Sequence, residues 1–290
     1  MTSPPHPSQP LERAAQPLPP GERGYVDILG VPVHDVTLNE ACEVAERLIA
    51  QGGAHQFATV NPEFIMAARR DAEFMRVLNV TALNVPDGVG VLWAARRKGY
   101  ALRERVAGVE LLEKLCAMAS THGWRAYFLG ARPGVAERAA AAMALKYPGL
   151  IIAGTFAGSP RVEDEAAIVA RVREARPHLL FAAYGAPQQD VWLAHVMPRL
   201  VQVPPHPMAP QRATYPLLLS VSRRMGEGVG MIGMGVGGAF DFIAGVQQRA
   251  PDWMRKAGLE WLYRLARQPW RWRRQTALVR FALAAMLESH

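Results

Sequence analysis

Apolar positions along the chain alternate between two periods. Short runs of branched and aromatic residues recur, and each is followed by a stretch in which apolar residues return every three or four positions, the spacing of one helix face. Val26 to Val36 reads as a strand pair turning at Gly30-Val31-Pro32. A helix opens at Thr37, where Thr-Leu-Asn-Glu matches a capping box with Glu40 reaching back to the first backbone N–H. His55 to Val60 reads as a strand, and Asn61-Pro62-Glu63 opens a helix with an amide cap and a proline at its first position. Leu83 to Val85 is a short strand ending in Pro86-Asp87-Gly88, followed by a helix through Arg97 and another from about Gly108 to Ser120. Strands are then predicted at Arg125–Leu129, Leu150–Thr155, Leu179–Tyr184 and Gly230–Val236, with helices at Val135–Lys146, Glu163–Ala175 and Gln188–Arg199 between them. This alternation implies an α/β fold: a mostly parallel, Rossmann-like sheet with helices on both faces.

Three segments break the rhythm. Residues 1–24 are rich in proline, contain no apolar run, and read as a disordered leader that is not a signal peptide. Residues 202–229 carry Pro204, Pro205, Pro207, Pro210 and Pro216 and read as a long inserted loop within an α/β domain spanning 25–248. From Trp253 the period becomes helical again: Met254, Ala257, Trp261, Leu262 and Leu265 share one face, and Pro269 separates a last helix, Trp270 to Leu287. Residues 249–290 therefore form a basic, amphipathic helical C-terminal appendage.

Charge concentrates in that appendage. The chain has 290 residues, 50% hydrophobic and 20% charged, which excludes a disordered protein, and a net charge of +8. The stretch Arg249–Arg280 holds nine Lys or Arg against Asp252 and Glu260, and four of the seven tryptophans. A polyanionic partner follows: a phosphorylated molecule, an anionic membrane or a nucleic acid. No run reaches the roughly 18–20 uncharged apolar residues that span a bilayer; Arg280 interrupts the nearest, so any membrane association is peripheral. With only Cys42 and Cys116 and no metal-ligand spacing among the histidines, neither a disulfide framework nor a metal centre is expected, and a reducing cytoplasm fits.

Ligands of open parallel sheets bind beyond the carboxyl ends of the strands. Thr59 and Asn61, Asp87, the turn Gly130-Ala131-Arg132-Pro133-Gly134 and the turn Gly185-Ala186-Pro187-Gln188-Gln189 stand at such ends. Gly130, Arg132, Gly185 and Gln188 are candidate phosphate contacts, because glycine lets backbone N–H groups approach an anion; each turn is equally a plain strand-to-helix connection. Asp87 is either a general base or the cap of the next helix. Arg105 is either a phosphate ligand or a surface charge between Arg103 and Glu104.

Taken together, these segments resemble a family. Thr59-Val60-Asn61-Pro62-Glu63, Pro86-Asp87-Gly88-Val89-Gly90-Val91, Arg105-Val106-Ala107-Gly108, Phe128-Leu129-Gly130, Gly185-Ala186-Pro187-Gln188-Gln189, Gly235–Asp241, and Arg249-Ala250-Pro251 with Gly258–Leu265 are similar, in order, to the motifs of the WecG/TagA/CpsF glycosyltransferases. The resemblance implies metal-independent, inverting transfer of a sugar from a UDP-sugar to a polyprenyl-diphosphate-linked saccharide in cell-surface polysaccharide synthesis. It leaves the sugar open among N-acetylmannosamine, its uronic acid and glucose. It implies Asp87 as catalytic base, Thr59 and Asn61 as an acceptor-side pair, and Arg105 and Gln189 in the same pocket. Arg264, Arg271 and Arg274 are implied to close over the diphosphate. No cofactor is implied. The partners are then the donor, the lipid-linked acceptor and the anionic inner face of the cell membrane, with self-association open and nucleic acid disfavoured. The rival class is a non-enzymatic basic module for lipid or nucleic acid.

Overall fold

A computed structural model describes residues 24–201, 230–256, 259–268 and 272–288, with the side chains of residues 252, 256, 264 and 273–275 outside the description. The leader and the 202–229 segment thus lie outside the described residues, apart from Gly24. In chain order the elements are β1 (Tyr25–Ile28), β2 (Val31–His34), α1 (Leu38–Gln51), β3 (Ala54–Val60), α2 (Pro62–Ala68), α3 (Ala72–Val80), β4 (Leu83–Pro86), α4 (Val89–Arg97) and α5 (Gly108–His122). They continue as β5 (Arg125–Gly130), α6 (Val135–Lys146), β6 (Ile151–Phe156), α7 (Val162–Ala175), β7 (Leu179–Ala183), α8 (Gln188–Leu200), β8 (Met231–Gly235) and α9 (Ala239–Ile243). The C-terminal segment adds α10 (Asp252–Lys256), α11 (Glu260–Arg267) and α12 (Trp272–Leu287).

Six strands form one sheet in the order β4-β3-β8-β7-β5-β6, and every pairing in it is parallel. A parallel sheet must be covered on both faces, which is why β7 and β8 are buried along their whole length. On one face Phe57, Phe128, Phe181 and Met234 pack against α1, α5 and α6. On the other, Tyr127, Leu129, Leu180 and Ala182 meet α7 and α8. There β8 presents Gly233 and Gly235, and a Cβ on Gly235 would fall 2.6 Å from Gln189 Nε2, so α8 lies close only because these positions have no side chain.

The first two strands stand apart as a hairpin. Their turn is Leu29-Gly30, both at positive φ, not the Gly30-Val31-Pro32 turn expected; Val31 and Pro32 already pair with Ile28 and Asp27. The hairpin covers the outer edge of β4: the Asn84 N–H donates to His34 Nδ1 at 2.9 Å and the Asn84 amide donates to the Pro32 carbonyl at 2.8 Å. The helix predicted at Asn61 is short, because Asp71 caps a separate helix, α3, accepting from the Glu73 and Phe74 N–H groups. The capping box at Thr37 and Glu40 forms as expected.

The basic helical appendage is present, and its last helix is part of the core. α12 packs across α2 and α4, burying Phe281 and Ala285. Gly90 makes room for this layer, since a Cβ there would lie 2.7 Å from Pro62 Cγ and 3.7 Å from the Phe281 ring. Glu288 then accepts from Lys98 Nζ at 2.7 Å and from the Leu29 N–H at 3.1 Å, tying the end of α12 to the hairpin.

Candidate active site

Five strand ends open into one cleft of about 970 Å³, lined by residues that follow β3, β4, β5, β7 and β8 and by the N-terminus of α5. Asp87 stands at its base. The parallel ladder pairs Val60 with Pro86, and the Asp87 N–H continues it by donating to the Val60 carbonyl at 2.8 Å. The next residue, Gly88, holds the cap position of α4 at φ 98° and offers no side chain, so Asp87 is not that helix's cap and its carboxylate faces the cleft.

Asn61 and Thr59 come from the neighbouring strand. Asn61 Oδ1 accepts the Phe64 N–H at 3.0 Å, capping α2 and leaving the amide nitrogen for the cleft. Thr59 is largely buried against Gly108, at the first turn of α5. Arg105 arrives because the Val106 N–H donates to the Pro86 carbonyl at 2.8 Å, which lays the 101–107 segment beside β4. Its Nη1 is 3.6 Å from Asp87 Oδ1. The charges on either side have other work: Arg103 binds Asp35 and Glu40, and Glu104 accepts the Leu38 N–H. Of the three, only Arg105 reaches the site.

Gln189 is a clamp. Its Oε1 accepts the N–H groups of Gly185 and Gly237, each at 3.0 Å, so one buried amide holds the loops after β7 and β8 together at the cleft floor. Next to it, burial raises the Asp190 carboxyl from 3.8 to about 7, opposed by the adjacent Gln189 amide and its own backbone N–H.

The sequence candidates divide accordingly. Thr59, Asn61, Asp87, Arg105, Arg132, Gly185 and Gln189 line the same cleft. Arg132 is paired there with Asp241, Nη2 to Oδ1 3.2 Å. Gly130 and Gln188 do not line it. A Cβ on Gly130 would meet the Ala183 backbone at 2.9 to 3.0 Å, so its glycine serves close strand packing, and Gln188 is exposed at the start of α8. Arg264, Arg271 and Arg274 lie outside the described residues or side chains. Among the described residues no group of three or more His, Cys, Asp or Glu is placed to hold a metal ion.

Sequence reasoning missed a second set of lining residues: Asp241, Arg249, Arg255, Glu260 and Trp261. In the sequence Arg255 contributes only to the charge of the appendage, whereas Arg249 stands in a motif as well. The usable signal was positional, since Asp241 and Arg249 each sit in one of the quoted motifs.

The sequence profile of the glycosyl transferase WecG/TagA/CpsF family matches residues 26–206 and 221–290. An N-acetylglucosaminyldiphosphoundecaprenol N-acetyl-beta-D-mannosaminyltransferase of Bacillus subtilis strain 168 is 30% identical over 234 residues, 80% of this chain and 78% of the relative. Enzymes of the same name from Bacillus spizizenii, 28% identical over 79% of this chain and 77% of the relative, and from Staphylococcus aureus strain NCTC 8325, 27% identical over 82% and 83%, are also similar.

Proposed function

The chain belongs to the WecG/TagA/CpsF family and is a glycosyltransferase, and from that premise we propose that it moves an N-acetylmannosaminyl group from a UDP-sugar to a polyprenyl-diphosphate-linked N-acetylglucosamine, with inversion and without a metal ion. The observation that carries this reading is the position of Asp87: a carboxylate at the end of β4, open to the cleft, with a guanidinium 3.6 Å away.

In this reading the Asp87 carboxylate takes the proton from an acceptor hydroxyl as its oxygen attacks the anomeric carbon. The new carbon–oxygen bond forms as the bond to the β-phosphate oxygen breaks on the opposite face, and UDP departs with the electron pair. Thr59 and Asn61, beside Asp87 on the adjacent strand, orient the acceptor. Arginines and helix N-termini offset the charge growing on the diphosphate, a role that a divalent cation fills in other transferases. The choice of N-acetylmannosamine rests on the relatives' names alone, and its uronic acid and glucose are the alternatives to be tested.

No helix among the described residues is long and apolar enough to cross a membrane. We assign the enzyme to the inner face of the cell membrane as a peripheral protein, supported by the lipid-linked acceptor that its relatives' names specify and by the basic, tryptophan-bearing C-terminal segment.

The test is UDP release with UDP-N-acetylmannosamine, its uronic acid and UDP-glucose in turn, each with a lipid-diphosphate N-acetylglucosamine acceptor. Turnover with the first donor is expected. Asp87→Asn should lower kcat by roughly 10²–10⁴, the usual worth of a general base, with the thermal midpoint retained; normal turnover by that variant refutes the assignment.

A further inference from the structure

Directly behind the cleft floor lies a carboxyl that packing alone does not explain. Asp190 is fully buried on α8, and neither of its side-chain oxygens has a hydrogen-bond partner among the described residues. An apolar side chain of the same shape would fill the place at lower cost, since a buried oxygen left unsatisfied forfeits its bonds to water. The Asp190 backbone is pinned from β3, where Gln56 Nε2 donates to its carbonyl at 3.0 Å.

Beside the carboxyl stands the Gln189 amide. A Cβ on Gly235 would fall 2.6 Å from Gln189 Nε2 and 2.7 Å from Asp190 Oδ1, so the two atoms flank one point above β8. The other end of that amide is the clamp, its Oε1 accepting the Gly185 and Gly237 N–H groups. Both glycines are at positive φ, 87° and 50°, and a Cβ on either would meet no atom within 4 Å. The two loops thus bend at points where close packing does not hold them, and the amide oxygen bridges them. An amide is nearly symmetric in shape. Turned by half a rotation it would present its own N–H groups to those of the glycines, and the clamp would open. A carboxyl oxygen can accept from Nε2 in either protonation state, which a carbon in its place cannot.

We propose that Asp190 is a positioning residue: its buried carboxyl keeps the Gln189 amide turned with its oxygen toward Gly185 and Gly237, and so sets the loops after β7 and β8. The assignment rests on the glycosyl-transfer reading and adds to it a residue that touches no substrate. In the order β4-β3-β8-β7, the acceptor-side residues Thr59, Asn61 and Asp87 follow β3 and β4, so the clamped loops floor the opposite, donor side.

The test compares Asp190→Leu, which keeps the breadth of the side chain and loses both oxygens, with Asp190→Asn, which keeps one. Hydrogen exchange of the full-length chain, read by mass spectrometry, reports the clamp without turnover. In Asp190→Leu the peptides holding Gly185 and Gly237 should exchange about tenfold faster, the scale of one lost hydrogen bond, while peptides of β5 keep wild-type rates. Asp190→Asn should keep wild-type rates throughout. In the UDP-release assay Asp190→Leu should raise the donor KM about tenfold with kcat within about threefold of wild type, because Asp87 and its neighbours across the sheet are untouched. Damage to packing alone would lower the active fraction, and with it kcat, and leave KM where it was. In the Gln189→Leu background the same substitution should add nothing, since its effect runs through that amide. Wild-type exchange in Asp190→Leu, equal losses in the leucine and asparagine variants, or additive losses on top of Gln189→Leu each overturn the assignment. The expected exchange in a protein that releases no UDP from any donor overturns the glycosyl-transfer reading instead and leaves the clamp standing. If Asp190→Leu does not fold, Asp190→Ala also lacks the oxygens and carries the same comparison.

Discussion

At the scale of single residues, the site is built from backbone-fixed positions. Asp87 and Asn61 stand side by side because parallel strands β3 and β4 end in register, and Arg105 joins them through one hydrogen bond to Pro86. Asp190 gives a prediction whose sign is fixed by its environment. An unfolded aspartate ionises near 3.8, whereas the folded Asp190 holds its proton up to about pH 7 because burial disfavours the charge. Its contribution is therefore fully present below about pH 4 and falls as pH rises through 7, since the unfolded chain sheds the proton first. Asp190→Asn should flatten this loss: the thermal midpoint of the variant, relative to wild type, is expected to rise between pH 5 and pH 8. A parallel shift of both proteins across that range would show that the buried carboxyl is not the group involved. The sequence shows Asp190 only as an acidic residue in the first turn of a helix, a place where carboxylates are ordinarily exposed and ionised. Its burial follows from Gly235 on a strand forty-five positions later, and no local pattern contains that information.

Among the elements, those defined by local chemistry were legible and those defined by partners were not. The capping box at Thr37, the Asn61 cap with Pro62 and the strand runs of β7 and β8 each carry their own signal, and each forms as read. The turn at Leu29-Gly30 was misplaced by one residue because Pro32 resembles a turn residue, yet its missing N–H is harmless on a two-strand hairpin. The role of α12 was hidden for a different reason. Its alanines and leucines suit a membrane-facing helix or a core helix equally, and only the layer formed by α2, α4 and Gly90 decides that Phe281 is inside. Phe281→Ala should accordingly destabilise the whole domain by about 3–5 kcal/mol, the range for deleting a buried phenylalanine. Denaturant midpoints measure this directly. A loss below about 1 kcal/mol would mean that α12 is only loosely attached.

For the molecule as a whole, that packing changes how recruitment to a membrane must be tested. Removing the entire C-terminal segment would also remove Phe281, so lost binding after truncation would not distinguish an absent anchor from an unfolded enzyme. The outer face of α12 permits a cleaner experiment. Trp272, Val279, Leu283 and Met286 are each more than half exposed, and their spacing puts them on one side of the helix, opposite Phe281 and Ala285. Trp253 is exposed nearby in sequence, among the nine Lys and Arg side chains between Arg249 and Arg280. Apolar side chains beside cations suit insertion into an anionic surface, each basic residue adding about 1 kcal/mol and each buried aliphatic side chain about 1.5–3 kcal/mol. The double substitution Val279→Asp with Leu283→Asp should thus reduce partitioning onto phosphatidylglycerol vesicles by roughly a hundredfold or more. Its thermal midpoint and its turnover of a short-chain soluble acceptor should stay near wild type, because both residues are exposed and neither lines the cleft. Raising the salt should weaken the wild-type protein's binding as well, since part of the attraction is screened charge. Unchanged vesicle binding in the double variant would remove α12 from the membrane contact and leave the charge of the appendage to account for recruitment without it.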